Sequence, residues 1–440
     1  MKRHVPRLLF TALLGAVLTA ALVPLPALAT NGMYLVGYGA ETTGRAGANI
    51  AVADRTLALN TNPAGTSQMQ GRHYSMNLSV LAPELSSGNA ANSSLQAEDS
   101  YFPLPAIGYV SSRHDSKWTW GLGLVAQGGM GATFENANTF FGTRDQTYTE
   151  VRFATLTPTV SYALTDTMSL GAALNLGWAD ASFRFYPQTS YFNQSDPANS
   201  FFGVSMQRAG GPQASLRLGW LWQAHPKLSL GAVYQTETNS TFDNGKMVVN
   251  FAAHPQLGRK VTYDAEMDGF TFASQAGVGL AWRPEDRWVL ALDVRRYFWD
   301  SAIDTIIVKA TNPNVQGAPA EVVLPFVFDW KDQWVLAVGA DWRATDRLTL
   351  RAGYNHGQDP VPDATLTPLF PATTTRHASL GLSWLAGNRV YDFGVERAFP
   401  KEQVNNNLDP RVNPFGPGAW VDHEQWTVSL GVSWAMDFMR

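Results

Sequence analysis

The feature that most constrains this chain is a period of two, repeated in fourteen separate segments. In one of them Trp334, Leu336, Val338, Ala340 and Trp342 alternate with Val335, Ala337, Gly339 and Asp341. In another Trp426, Val428, Leu430, Val432 and Trp434 alternate with Thr427, Ser429, Gly431 and Ser433. Successive side chains of a strand point to opposite faces, so each segment has one greasy face and one face of small or polar residues. The segments lie near 72–82, 104–113, 117–127, 149–163, 167–179, 208–223, 227–237, 270–283, 287–299, 331–343, 347–356, 376–386, 389–397 and 424–438. Several have the ~9–11 residues that a tilted strand needs to cross a bilayer.

Their connections alternate strictly between short and long. Leu164-Thr165-Asp166, Ala224-His225-Pro226, Pro284-Glu285-Asp286, Ala344-Thr345-Asp346 and Gly387-Asn388 are short. The long connections fall near 83–103, 128–148, 180–207, 238–269, 300–330, 357–375 and 398–423. Short turns at one rim and long loops at the other are the pattern of an outer-membrane barrel. Trp222, Trp282, Trp342 and Trp384 each precede a short turn and Trp288 follows one, as an interfacial girdle requires. A propeller would repeat blades of four strands, and a soluble sandwich seldom confines seven long loops to one end. The fold expected is all-β: a 14-stranded antiparallel transmembrane barrel.

Composition fits that frame. Charged residues are 15% of the chain and aromatics 12%, while a mean hydropathy of −0.14 excludes a bundle of apolar helices. The absence of cysteine excludes disulfides, Cys-ligated metal and thiol catalysis. Lys2, Arg3 and Arg7 precede an apolar run to Val23 and an Ala27-Leu28-Ala29 site, which together read as a signal peptide over residues 1–29. Its loss takes the net charge from −4 to −7, and no basic patch points to nucleic acid. Gly431, Trp434, Met436 and Phe438 fit a barrel-insertion signal, although Met439 and Arg440 follow the aromatic residue.

Residues 30–71 do not alternate, and they are too few to make a core of their own. They are expected to pack as a plug in the lumen of a barrel spanning 72–440, with a short helix between Ala46 and Leu59. Here a resemblance enters. Asn31-Gly32, the glycine-rich stretch, Gly44-x-x-Gly47-Ala48, Asp54 and Asn62-Pro63-Ala64-Gly65 resemble the FadL/TodX-type outer-membrane transporters, as does Tyr101-Phe102-Pro103-Leu104-Pro105. The resemblance implies passive import of long-chain fatty acids or aromatic hydrocarbons, with the Asn-Pro-Ala turn inside the plug and the start of the mature chain at a buried ligand site. It also implies a kink in the third strand that opens the wall sideways. Gly121, Gly123, Gly128 and Gly129 stand where such a kink is expected, and interior glycines often mark a bend.

No nucleophile elbow or metal-binding histidine pair occurs, and Gly121-Leu122-Gly123 lies inside a strand rather than before a helix. The seven histidines after residue 29 are dispersed and are expected to be solvated. An enzyme is not expected, nor a cofactor or a bound metal. Phe140-Phe141 and Phe201-Phe202, in long loops, are candidates for a groove that captures apolar molecules, or for staples between loops. Inward Arg295, Arg351, Asp293 and Asp341 are sparse for a general porin, the alternative reading along with a structural or adhesive barrel. Expected partners are a hydrophobic small molecule, outer-membrane lipid and lipopolysaccharide, and the barrel-assembly machinery, with the protein a monomer in a Gram-negative outer membrane.

Overall fold

Inner and outer residues sort along every wall strand as the period of two requires. In a computed structural model, Gln333, Val335 and Ala337 are buried while Trp334, Leu336 and Val338 are 49, 47 and 40% exposed. The structure describes residues 31–98, 100–240 and 242–436. The signal peptide, its cleavage after Ala29, Thr30 and the terminal Phe438 lie outside the described residues.

Fourteen antiparallel strands form the wall. The first seven are β1 (Gly71–Asn89), β2 (Phe102–Ser112), β3 (Trp118–Asn138), β4 (Arg144–Ala163), β5 (Met168–Tyr191), β6 (Phe201–His225) and β7 (Leu228–Gln235). The second seven are β8 (Ser274–Trp282), β9 (Trp288–Phe298), β10 (Gln333–Arg343), β11 (Leu348–Gly357), β12 (Arg376–Ala386), β13 (Arg389–Asn405) and β14 (Ala419–Met436). Each pairs with the next, and β14 returns to β1 from Arg72↔Met436 to Gly88↔Trp420, closing the barrel. Closure leaves no edge for the bilayer to solvate. Outward Leu122, Leu174, Leu218, Leu292, Leu380 and Leu430 form an exposed apolar belt that only lipid can cover.

Parts of the long connections are not loops. Phe242–Phe251, Arg259–Phe270, Ile303–Thr311 and Glu321–Val327 are strands that continue the sheet outward from the first half of β6. The pattern passes over them because their alternation has no uniformly apolar outer face: Arg259, Asp264, Glu266 and Lys309 lie above the belt. The helix expected between Ala46 and Leu59 is also displaced. A single turn, α1 (Ala40–Gly44), comes earlier, and Thr56–Asn60 and Pro63–Gln68 are 3-10 turns. Within 46–54 the wall residue Asp293 takes the backbone N–H groups of Asn49 and Ile50, which a helix would need for its own bonds.

Residues 31–66 lie within the barrel, almost all of them buried. Small inward residues make room for them. A Cβ on Gly171 would stand 2.3 Å from Ala64 N, one on Gly353 2.4 Å from the Arg45 carbonyl carbon, and one on Gly394 2.4 Å from Ala40 O. Backbone therefore packs on backbone around much of the wall.

Candidate functional site

From the long-loop end inward, the lumen is layered. The outermost layer is an apolar cavity of about 500 Å³, formed by the inner face of the extended sheet. Val151, Phe202, Met206, Val249, Phe251, Val308 and Phe326 line it, with Glu321 and Arg411 among its few charged residues. A cavity of this size and character takes a small hydrophobic molecule.

Beneath it lies an aromatic layer, with Phe153 the next inward residue after Val151 on β4. The Tyr34 ring stacks on Tyr297 at 5.3 Å and meets Trp299 at 5.5 Å, while Phe272 stacks on Phe153 at 4.1 Å. Tyr34 Oη donates to the Ala273 carbonyl at 2.8 Å, so the ring is fixed by both packing and a hydrogen bond. Burial pushes the Tyr34 and Tyr38 hydroxyls well above their usual range, so both remain neutral donors.

A polar layer follows. Arg217 on β6 is 3% exposed, and its Nε donates to Gln235 Oε1 at 2.9 Å. Its Nη1 has no partner, and it makes no ion pair among the described residues. Tyr38, Gln275, Arg295 and Tyr297 surround a small void beside it. Arg217 and Arg295 share this layer, and of the two only Arg295 has an adjacent carboxylate, Asp293, which leaves net positive charge beside Arg217.

Below it the inner segment is tied to the wall by ion pairs and hydrogen bonds. Asp293 Oδ2 accepts from the backbone N–H groups of Asn49 at 2.7 Å and Ile50 at 2.9 Å, and from Arg295 Nη2 at 3.1 Å. Arg45 Nη1 reaches Asp341 Oδ2 at 2.8 Å, which also accepts from Arg351 Nε at 3.0 Å. Asn62 Oδ1 accepts from Ala64 N, and its Nδ2 donates to the carbonyls of Ile50 at 2.8 Å and Trp220 at 3.0 Å. Asn62 thus caps the turn that Pro63 begins and ties it to β6.

The wall itself is interrupted between β2 and β3. Their pairing ends at Ala106↔Val125, although β2 continues on β1 to Leu81↔Phe102. The uninterrupted ladder with β1 leaves the nitrogens of Pro103 and Pro105 facing β3, where neither can donate. Past that point β3 carries a bulge between Ala126 and Gly128 in its register with β4. Gly128 and Gly129 have φ of 148° and 156°, and Tyr34 bridges to Gly128. A Cβ on Gly128 would stand 2.1 Å from Met33 O. Gln127 at the bulge turns inward and donates to Asn60 Oδ1 at 2.6 Å, while Tyr38 Oη donates to its carbonyl.

The residues singled out from the sequence fall in several of these layers. Asn31 and Gly32 sit at the aromatic layer, Asn31 paired with Tyr34 and Gly32 against the Trp299 ring. Gly44 meets Gly381, Gly47 turns at φ 82° under Val36, and Gly65 packs on Ala53. Gly121 lies in regular strand, and Gly123 faces the Leu59 side chain. Phe201 and Phe202 line the cavity, whereas Phe141 stacks outside it on Phe201 at 4.7 Å and Phe140 is 52% exposed. Two histidines expected in solvent are buried instead: His377 pairs with Glu396 at 2.9 Å, and His423 bonds the Pro371 carbonyl. Both occupy inward positions of β12 and β14, a placement that alternation alone would have given. Arg217 alternates with Leu216 and Leu218, which places it inward; Tyr34 lies in a stretch without alternation, and Trp299 is the last residue of an alternating segment.

The family described as outer membrane protein transport protein, OMPP1/FadL/TodX, matches residues 21–438. The chain belongs to that family. It is a transport barrel of the outer membrane and not an enzyme. Among solved structures it is similar to the Pseudomonas putida toluene transporter TodX, at 17% identity over 92% of this chain and 100% of that one, with a TM-score of 0.74. The Ralstonia pickettii toluene transporter TbuX gives 19% identity over 91% and 99% of the two chains, with a TM-score of 0.71. A Pseudomonas aeruginosa FadL homologue gives 19% over 92% and 99%, with a TM-score of 0.72. At these identities the likeness establishes the shared fold. No curated protein matches the chain.

Proposed function

We propose that the protein is a passive channel for hydrophobic small molecules, taking long-chain fatty acids or related hydrocarbons from outside the cell. Cargo enters the apolar cavity, reaches the aromatic layer, and passes on when residues 31–66, acting as a plug, shift against the wall. It leaves sideways through the gap between β2 and β3 into the membrane, so apolar cargo need not cross the polar mouth lined by Gln70, Lys117, Asp166 and Arg283. Diffusion down a gradient drives the passage, and burial of apolar area drives capture.

The observation that carries this reading is the succession of a 500 Å³ apolar cavity, an aromatic layer built partly by Tyr34, and the β2–β3 gap that the same Tyr34 bridges. One inner segment thereby touches both the entry path and the exit. Arg217 favours cargo with an acidic head, since a carboxylate would supply the partner that Nη1 lacks. Uptake of labelled oleate and labelled toluene into cells with and without the gene tests the proposal. A deficit for oleate larger than for toluene is expected; no deficit for either would sink it.

A further inference from the structure

The outer surface carries a feature that transport does not use. Two hairpins, β9–β10 and β13–β14, repeat one arrangement at the long-loop edge of the apolar belt. Arg296-Tyr297-Phe298 stands against Asp332-Gln333-Trp334, and Arg397-Ala398-Phe399 against Glu424-Gln425-Trp426. In each, the arginine lies directly opposite the tryptophan of the next strand. The Arg296 guanidinium sits 4.9 Å from the Phe298 ring centre and 5.5 Å from that of Trp334. The Arg397 guanidinium sits 5.8 Å from Phe399 and 5.2 Å from Trp426. A carboxylate two residues before each tryptophan holds one edge of the fork, Asp332 at 2.6 Å and Glu424 at 2.7 Å.

Between the two clamps, His356 and Arg376 stand opposite each other on β11 and β12, both exposed and outside any ion pair among the described residues. The four follow a slanted line across the sheet rather than one register row, each clamp two residues off the central pair: Leu336, two residues beyond Trp334, pairs with His356, and Ala378, two residues beyond Arg376, pairs with Arg397. From Arg296 on β9 to Arg397 on β13 there are four strand spacings of ~4.8 Å, about 19 Å across the strands. Immediately inward of this line the outer face is apolar: Val294, Leu336, Tyr354, Val395 and Val428. A cation at the boundary between an apolar belt and water meets lipid headgroups. Aromatic stacking and a carboxylate on one edge pre-orient each guanidinium, leaving its other donors for a bidentate anion.

We propose that Arg296, Arg376 and Arg397, with His356 between them, form a binding site for the phosphates of an outer-leaflet glycolipid headgroup. The occupant is a diphosphorylated lipid A, because the line runs along the rim of the long loops, faces outward, and offers phosphate-matching forks at two places with an unpaired cation between. Two phosphates on one rigid headgroup suit separated arginines better than a single-phosphate lipid does. The site is independent of the cavity and of any cargo.

The test is native mass spectrometry of the full-length purified protein with added lipid, comparing diphosphoryl lipid A, its dephosphorylated form and phosphatidylglycerol. The wild type should retain diphosphoryl lipid A, and retention should fall at least tenfold in Arg296→Gln/Arg376→Gln/Arg397→Gln. Arg376→Gln alone, at an exposed position, keeps the question open to test should the triple variant fail to fold, and should lose about threefold. Retention unchanged by that single variant, or equal retention of the dephosphorylated lipid, overturns the proposal. So does phosphatidylglycerol retained as well as lipid A, which would make the line a general anionic rim.

Discussion

Replacing Asp293 by alanine should release the inner segment while leaving the barrel standing. The carboxylate is fully buried, and one oxygen takes the backbone N–H groups of Asn49 and Ile50 together with Arg295 Nη2. Removing it orphans two buried donors and leaves Arg295 with hydrogen bonds to Gly47 and Asn49 but no counter-charge. Breaking a buried charge pair from one side costs about 3–5 kcal/mol. At ~1.4 kcal/mol per tenfold, local opening should become roughly a hundred to a few thousand times more frequent. Hydrogen exchange on the reconstituted protein reads this directly, because amides of the segment and of the wall report separately. Protection of residues 45–60 should fall by that factor while β9 and β10 keep theirs. A change below about threefold would refute the idea that Asp293 anchors the segment. Equal loss in segment and wall would show that the carboxylate supports the barrel instead.

Three further outcomes follow from the same geometry. Phe202→Ala removes a ring that lines the cavity and packs on Phe251 at 4.7 Å; losing about 1.5–3 kcal/mol of apolar contact should weaken oleate binding at least tenfold in a fluorescence titration, and unchanged affinity would place capture elsewhere. Burial first, then the Asp392 carboxylate, pushes Glu41 up to about 7 from its ordinary 4.5, against the pull of Arg55, Arg45 and Arg351. A raised carboxyl pKa favours the folded form in acid, so packing of α1 on the wall should weaken as pH rises from 4.5 through 7. Exchange corrected for its intrinsic pH dependence should show this in wild type and not in Glu41→Gln; a flat wild-type profile contradicts it. Gly128→Ala places a methyl group 2.1 Å from Met33 O at a φ of 148°, which should loosen residues 31–36 in the same exchange experiment, whereas Gly121→Ala, in regular strand, should not.

The barrel was legible because its signal is redundant. Alternation is enforced wherever one face meets lipid and the other a packed lumen, as at Trp334 to Trp342, and a slip of one residue would invert every side chain. The inner segment was harder. Its shape is dictated from outside, by Asp293 taking the Asn49 and Ile50 amides and by Asp341 taking Arg45, partners more than 240 residues away. No local pattern carries that, so a propensity argument placed a helix where Asp293 takes amides that a helix would need. The aromatic layer was hidden for the same reason: Tyr34, Phe153, Phe272 and the Tyr297–Trp299 pair come from four separate stretches that only closure brings together. Pro103 and Pro105 were on view, but their consequence, a ladder that stops on one side, needed the register with β1 and β3.

The central claim is that apolar cargo occupies the cavity above the Tyr34 layer. A crystal structure with a fatty acid brominated at its tail tests it most directly, since the bromine is located by its own scattering. Bromine among Val151, Met206, Phe251 and Val308, with the carboxylate end toward Arg217, is the result expected. Bromine confined to the lipid belt outside the wall, with the cavity empty of ligand at saturating concentration, would contradict the account.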